Sequence, residues 1–339
     1  MSAAISDPFL LSSYDVSKRF APGQSAGASG KSAYNLYVTH HHSRTGQDGH
    51  ATVAVHGDGV HILDVCLRVA QDGSSVRKTY VAIDTAPDVN SENRAKTIWM
   101  WSEPLSAESG GRSQKTSVVA PHILSRIYAP DNLPDRVVLL SPEGELSLAD
   151  GDLKVLASQT YLHRPSSLRK SFVFEKSRLL PSLAAMLVVL FIAVDETTRI
   201  HVMSVSKESI TVLLDESLPV GNNSIADISC SAEGYIAIVQ RDGTLQSFAL
   251  ESFDKTLSLR RTSTSLRLHR FSFISQEAPT DRSASEISLL SLGASFVLLA
   301  GITTTHPPEL TLLLWDLQYS VVLAVHSLPI PSSLSHTKE

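Results

Sequence analysis

Cysteine, long apolar runs and secretory features are scarce in this sequence. Its two cysteines, Cys66 and Cys230, lie far apart and cannot form a disulfide scaffold, so a reducing compartment fits best. The most apolar run, Leu183–Val194, has twelve residues, whereas a membrane-spanning helix needs about 20. The N-terminus has no basic segment followed by a long apolar one. We therefore expect neither a membrane span nor a secretory signal.

Clustered metal ligands and phosphate-binding loops are also missing. His40–His42 are adjacent, but neighbours on a strand point to opposite faces and no Cys or carboxylate accompanies them, so we expect an exposed loop rather than a zinc site. Gly30-Lys31-Ser32 ends like a phosphate-binding loop, yet Ser25 stands where that loop needs glycine, and a flexible linker is favoured. The sequence predicts no enzyme, no cofactor and no small-molecule substrate.

What the sequence does contain is a repeated pattern. An apolar β-rich run is followed by a polar or glycine-containing turn and then by a second β-rich run, which often ends in an aromatic residue or Asp. A degenerate copy spans Lys78–Glu103, and the clear copies are 51–65, 135–150, 187–205, 234–250 and 295–317. Asp58-Gly59, Glu143-Gly144 and Asp242-Gly243 suit tight turns, so each copy is expected to be a β-hairpin.

The spacing of these copies favours a ring of small sheets. The second arms mostly recur near the ~40–50 residues of a four-stranded propeller blade. We predict an all-β, WD40-like β-propeller over 9–330, with about seven blades (six to seven), tails at 1–8 and 331–339, and Ser/Gly-rich loops inserted at 105–117 and 274–286. Residues 9–20 could supply a strand that closes the seventh blade. A β-sandwich pair is the alternative.

The sequence around Trp315-Asp316 distinguishes a strand of such a sheet from a buried C-terminal helix. The pair lies between two apolar runs in Leu310–Pro329, which is rich in β-branched residues and follows Pro307-Pro308. We predict that it ends the third strand of a blade and that Ser320–Pro329 forms the fourth. The segments IWMWSE and SFALES are expected to occupy similar places.

The net charge of −5 argues against nucleic-acid binding by bulk charge, but two local stretches are basic. Arginine near aromatic residues can contact phosphate and stack on bases, and it can equally form a solvated strand face or a protein-binding patch. The candidate RNA or partner contacts are Arg164, Arg169, Lys170, Arg260, Arg261, Arg267 and Arg270, with Phe271 and Phe273 after the last.

Three segments of the repeated pattern, in their order along the chain, resemble those of a known family. They are TIWMWSEPLSAE (97–108), VVLLSPEGELSLADGDL (137–153) and LTLLLWDLQYSVVLAVHSLP (310–329). The chain resembles the N-terminal β-propeller of the nucleolar protein eleven and U3-associated protein eight family, of the t-UTP group. The motifs are typical of the fold and carry no chemistry, and a generic WD-type propeller has similar ones.

The resemblance implies a scaffold in the small-subunit processome of the nucleus and nucleolus. Such a subunit would support pre-rRNA transcription and 18S rRNA processing by contacting other t-UTP proteins and, as a further candidate, pre-rRNA. The family continues into a helical C-terminal region that this sequence does not contain, so a fragment or shortened product is expected. The alternative is a propeller scaffold in a coat, a nucleoporin complex or a ubiquitin-ligase adaptor.

Overall fold

The computed structural model describes residues 33–41, 48–56, 61–69, 76–84, 95–104, 114–175, 177–179, 186–221, 224–253, 256–262, 265–268, 287–303, 307 and 309–330. Over these ranges the chain is all β and contains no α-helix. The strands are β1 Ala33–His41, β2 Asp48–His56, β3 His61–Val69, β4 Val76–Asp84, β5 Thr97–Pro104, β6 Gln114–Val119, β7 Arg126–Tyr128, β8 Arg136–Leu140, β9 Leu146–Asp150, β10 Val155–Gln159, β11 Ser166–Phe174, β12 Met186–Val194, β13 Thr197–Val205, β14 Ile210–Gly221, β15 Ile225–Cys230, β16 Tyr235–Gln240, β17 Thr244–Phe253, β18 Thr256–Arg261, β19 Leu266–Arg267, β20 Ile287–Ser291, β21 Phe296–Ile302, β22 Glu309–Asp316 and β23 Val321–Pro329.

Twenty of these strands form five antiparallel sheets in which neighbouring strands are consecutive in sequence. The sheets are β3–β6, β7–β10, β11–β14, β15–β18 and β20–β23; β19 also pairs with β17, and β1 pairs with β2 in a separate two-stranded sheet. Each four-stranded sheet is therefore a meander that needs only short connections between neighbours. The same unit is repeated five times along the described chain.

The chain forms two compact units, residues 1–127 and 128–339. In the first unit, Val81, Ile83 and Trp101 are buried together in the β3–β6 sheet, with Val65 and Trp99 packed against them. The second unit contains β8–β10 and the three four-stranded sheets that follow.

Successive sheets of the second unit pack face to face in chain order, and β12 shows why its sequence is almost uniformly apolar. Its even-numbered residues, Met186 to Ile192, pack with the β7–β10 sheet. Its odd-numbered residues Leu187, Val189 and Phe191 pack with the β15–β18 sheet. Because side chains alternate along a strand, a strand covered on both faces needs apolar residues at nearly every position.

The β15–β18 sheet repeats this arrangement one step further along the chain. On β16, Ile236 and Ile238 face the β11–β14 sheet. Ala237 and Val239 on the same strand face the β20–β23 sheet, where Trp315 is buried. Within the apolar run Leu183–Val194, the described residues from Met186 onward form β12, a strand covered on both faces. The described residues contain no helix with the length and hydropathy of a membrane span.

Most of the predicted hairpins are confirmed as the central pairs of the sheets. Segments 135–150, 187–205, 234–250 and 295–317 contain β8–β9, β12–β13, β16–β17 and β21–β22, and the degenerate copy contains β4–β5. Trp315-Asp316 ends the third strand of its sheet and Val321–Pro329 forms the fourth, as predicted. IWMWSE and SFALES lie in β5 and β17, which are also third strands.

Three local predictions are wrong. Segment 51–65 is no hairpin, because β2 pairs with β1 and β3 pairs with β4, so this link joins two sheets. His40 and His41 belong to β1 rather than to a loop. The loop predicted at 105–117 ends earlier, since Gln114–Ser117 belongs to β6; the predicted tails, residues 9–20 and segment 274–286 lie outside the described residues.

Candidate partner-binding surfaces

The first strands of three sheets share a β-bulge near their start. The bulge falls between Ile62 and Asp64 in β3, between Leu168 and Lys170 in β11, and between Ile225 and Asp227 in β15. A bulge adds a residue to one strand and re-aims the side chains beside it. The equivalent residues after the bulge are Asp64, Lys170 and Asp227.

Each of these three residues contacts the first strand of the sheet that follows. Asp64 Oδ2 accepts a 2.9 Å hydrogen bond from the backbone N–H of Ile127 in β7. Lys170 Nζ lies 2.6 Å from Asp227 Oδ1. Asp227 Oδ2 in turn accepts a 2.7 Å hydrogen bond from the backbone N–H of Leu289 in β20. In the second unit, Lys170 and Asp227 at this bulge position therefore connect neighbouring sheets.

Two of the predicted contact residues are neutralised by these and similar pairs. Lys170 is partly buried against Asp227, so its charge is used within the fold. Arg164 pairs with Glu143 and Glu145 at the β8–β9 turn. Both cations already form ion pairs within the fold. A phosphate that binds either of them must compete with these carboxylates, so the gain in binding free energy is smaller.

Arg169 is the extra residue of the β11 bulge, and its side chain is exposed to solvent over part of its surface. Loss of water from the rest of the side chain lowers the pKa of Arg169, and the positive charge of Arg241 is the second cause. Arg241 is also exposed and lies in the β16–β17 turn, where its N–H bonds to the carbonyl of Ser224. The sequence did not single out Arg241; its contribution to this positive surface depends on the packing of two sheets.

The residues of the second basic group lie at two places in the β15–β18 sheet. Arg260 and Arg261 belong to β18, the fourth strand, and Arg267 belongs to β19; all three are exposed. Arg260 Nε lies 2.5 Å from Glu251 Oε1. Lys170 contacts β15, and three strand spacings separate β15 from β18, or about 14 Å. Arg260 and Arg261 therefore lie on the edge of the sheet away from Lys170, whereas Arg267 pairs with Thr244, beside the β16–β17 turn that carries Arg241. Arg270, Phe271 and Phe273 lie outside the described residues.

A polar cluster between the β7–β10 and β11–β14 sheets was not anticipated from the sequence. Arg199 Nε donates a 2.8 Å hydrogen bond to Asp215 Oδ1. His201 Nδ1 and His163 Nε2 lie 3.5 Å and 3.7 Å from the other oxygen of Asp215. The ring of Tyr161 packs edge-on against His201, with centroids 5.1 Å apart.

Burial governs the protonation of this cluster. His201 is almost fully buried, and this desolvation lowers its pKa despite the opposing effect of Asp215. Burial and the charge of Asp215 raise the pKa of the Tyr161 hydroxyl. Neutral His201 and neutral Tyr161 are therefore the forms that the fold favours at neutral pH.

Other chemistry is limited in the part of the chain that the structure describes. That part contains no group of three or more His, Cys, Asp or Glu side chains able to hold a metal ion. Burial raises the pKa of both the Cys66 and the Cys230 thiols, which disfavours the reactive thiolate. The pentapeptide GQSAG (23–27) fits the G-x-S-x-G consensus of hydrolases, but it lies outside the described residues.

Comparisons with known proteins give no family. No protein-family model matches the chain, and no curated protein matches it. One similar solved structure is "BBS1N in complex with ARL6DN, soaked with lead", at 14% identity and a TM-score of 0.43, covering 80% of this chain and 66% of that one. Another is a humanized mutant of the Chaetomium thermophilum Polycomb Repressive Complex 2 bound to an inhibitor, at 9% identity and a TM-score of 0.42, covering 76% and 50%. This chain spans less than two thirds of either, and likenesses this distant carry no argument about its function.

Proposed function

We propose that this chain is a non-catalytic β-propeller scaffold of the nucleolar small-subunit processome, in the t-UTP group. Each four-stranded meander is one blade of a WD40-like ring of six to seven blades. The observation that carries the proposal is the repetition of one unit five times, with face-to-face packing of consecutive sheets in the second unit. The resemblance of three ordered motifs supplies the cellular setting.

The chemistry of the described residues supports a binding role rather than catalysis. Asp64 and Asp227 accept backbone hydrogen bonds, and Asp215 is held by Arg199, so these carboxylates have structural partners. A scaffold needs rigid sheets that present loops and strand edges to other proteins. The proposal therefore includes no cofactor, no small-molecule substrate and no membrane.

The exposed arginines are the proposed contacts with processome proteins or pre-rRNA. The charge of Arg241 acts on Arg169, so these two lie near each other. Arg267 pairs with Thr244 beside the turn that carries Arg241, and Arg261 belongs to β18. Protein–RNA contacts made through phosphate weaken steeply as salt increases. A contact made by these side chains should therefore be lost on charge reversal and at high ionic strength.

Localisation and RNA crosslinking in cells test this proposal. The tagged chain should concentrate in nucleoli, and crosslinked RNA should be enriched in 5′ pre-rRNA. Arg169→Glu with Arg261→Glu should reduce the crosslinking, whereas Lys154→Glu, which reverses an exposed charge at the β9–β10 turn, should leave it unchanged. A chain that stays out of nucleoli overturns the nucleolar role. Nucleolar protein without RNA crosslinks would restrict the contacts to protein.

A further inference from the structure

Three exposed arginines of the second unit come together where the β11–β14 sheet meets the β15–β18 sheet. Arg169 belongs to the bulge of β11, Arg241 to the β16–β17 turn and Arg267 to β19. These segments are distant from one another in sequence, so the packing of the sheets is what makes the three arginines neighbours.

The start of β15 connects the first two arginines. Lys170, the residue after Arg169, reaches β15 with 2.6 Å between its Nζ and Asp227 Oδ1. The N–H of Arg241 donates a 2.6 Å hydrogen bond to the carbonyl of Ser224, directly before β15. Desolvation lowers the pKa of Arg169, and the charge of Arg241 lowers it further, as expected for two neighbouring cations.

Arg267 extends this positive surface past the β16–β17 turn. It pairs with Thr244, the first residue of β17. The next residue, Leu268, donates a 2.8 Å hydrogen bond from its N–H to the carbonyl of Gly243 in the turn. Arg241 and Arg267 are therefore attached to the same tight turn.

The carboxylates beside these arginines are committed to the fold. Asp242 Oδ1 accepts the N–H of Thr244, and Asp242 Oδ2 accepts the hydroxyl of the same residue, both at 2.9 Å. Asp227 is held by Lys170 and by two backbone N–H groups. In the described part of the chain, the arginines of the turn and of β19 pair with no carboxylate. The surface therefore keeps an excess of positive charge.

We propose that Arg169, Arg241 and Arg267 bind the phosphodiester backbone of single-stranded RNA. This site rests on the proposed function, to which it adds the contact surface and the feature of RNA that the surface recognises. A guanidinium can donate two parallel hydrogen bonds to one phosphate. Three separate guanidinium groups suit a chain of repeated phosphates. Such contacts carry no base information, so binding should be independent of the RNA sequence.

A nucleic acid suits this surface better than an acidic protein does. Specific protein interfaces bury an apolar centre. Among the described residues of β11, the β16–β17 turn and β19, Leu266 is the one large apolar side chain that is exposed. Exposed Asp195 and Glu196, in the β12–β13 turn beside the start of β11, would repel phosphate. The RNA is therefore expected to run from Arg169 towards Arg267.

Fluorescence anisotropy of the purified chain with a labelled oligouridine of about 20 nucleotides tests the site, since three phosphate contacts give a log–log salt slope of about −2. Raising the salt from about 50 to about 200 mM should therefore weaken binding about twentyfold. Replacement of all three arginines by Gln should weaken binding at least about tenfold at low salt and flatten the salt dependence. Arg260→Gln on β18, whose charge is paired with Glu251, is the matched control and should change Kd by less than about twofold.

Arg241→Gln with Arg267→Gln provides a second test if a thermal melt shows that the triple variant is unfolded. Unchanged RNA binding in the folded variants overturns the proposal, and so does an equal loss in Arg260→Gln. A polyglutamate peptide that binds as tightly as the RNA also overturns it, in favour of an acidic protein partner. A nucleolar chain that binds no RNA when purified overturns this site alone. RNA binding by a chain that stays out of nucleoli supports the site and overturns only the nucleolar setting.

Discussion

The carboxylate of Asp316 accepts a 2.8 Å hydrogen bond from the hydroxyl of Ser295, and both side chains are buried. Asp316 Oδ1 also accepts a 2.9 Å hydrogen bond from the backbone N–H of Gln318. The carbonyl of Ser295 accepts the N–H of Leu317 at 2.8 Å. The Asp of the Trp-Asp pair therefore joins the start of β21 to the end of β22.

Removal of this carboxylate should weaken the β20–β23 sheet. We expect Asp316→Ala to lower the free energy of unfolding by about 1–3 kcal/mol, because it leaves a buried hydroxyl without its acceptor. Urea unfolding measures the change. Ser295→Ala and the double variant complete a thermodynamic cycle, and additive effects of the two substitutions would contradict a direct coupling.

Asp227 should matter more than an exposed acidic residue of the same sheet. Asp227→Ala removes the acceptor of the Leu289 N–H and the partner of Lys170, and should cost about 2–3 kcal/mol of unfolding free energy. Glu251→Ala removes the partner of exposed Arg260 and should cost about 0–1 kcal/mol. Chemical denaturation compares the two, and equal losses would argue against Asp227 as a link between sheets.

Alanine substitutions at two glycines with positive φ should distinguish the energetic cost of a steric clash from that of backbone strain. Gly144 has φ +89°, and a Cβ there would lie 2.6 Å from Cδ1 of fully buried Ile192; Gly293 has φ +93° and nothing within 4 Å of that position. Gly293→Ala should cost about 1–2 kcal/mol from strain alone. Gly144→Ala should cost about 1–3 kcal/mol more, because the packed core must shift. The difference between their urea midpoints measures the steric contribution.

Stability should fall in mild acid because of His201. Its pKa is lowered in the folded chain by burial, whereas an unfolded histidine titrates near about 6.5. The unfolded state therefore binds the proton more readily, so the contribution of neutral His201 is complete above that pH and is lost as the pH falls below it. Unfolding midpoints measured across this range should decrease.

His201→Phe should flatten that dependence, since Phe cannot take up a proton. His163→Gln is the control, because His163 faces the same Asp215 oxygen from a half-exposed position. Arg199, Asp215 and Tyr161 remain in both variants. A pH profile that is unchanged in His201→Phe would contradict the assignment.

The sequence predicts paired strands well where a glycine turn joins two apolar runs. Glu143-Gly144 and Asp242-Gly243 mark the hairpins β8–β9 and β16–β17, since those turns require residues that tolerate positive φ. Asp58-Gly59 gives the same signal between strands of different sheets. A turn signal is local, whereas the assignment of a strand to one sheet or the next depends on packing.

The links between sheets were not predictable in the same way. Lys170 and Asp227 are 57 residues apart in sequence, and no local pattern specifies that they meet. A signal does exist in retrospect, since Asp64 in HILDVC and Asp227 in IADISC are isolated acids inside apolar strands. A lone carboxylate in such a strand needs a partner, which the first strand of the following sheet supplies.

Affinity purification of the tagged chain from its own cells, with proteins identified by mass spectrometry, tests the central claim most directly. The scaffold account predicts co-purification of t-UTP subunits and other processome proteins in amounts comparable to the tagged chain. Recovery of a different stable complex, such as a coat, a nucleoporin complex or a ubiquitin ligase, would contradict the nucleolar assignment while leaving the sheet architecture intact.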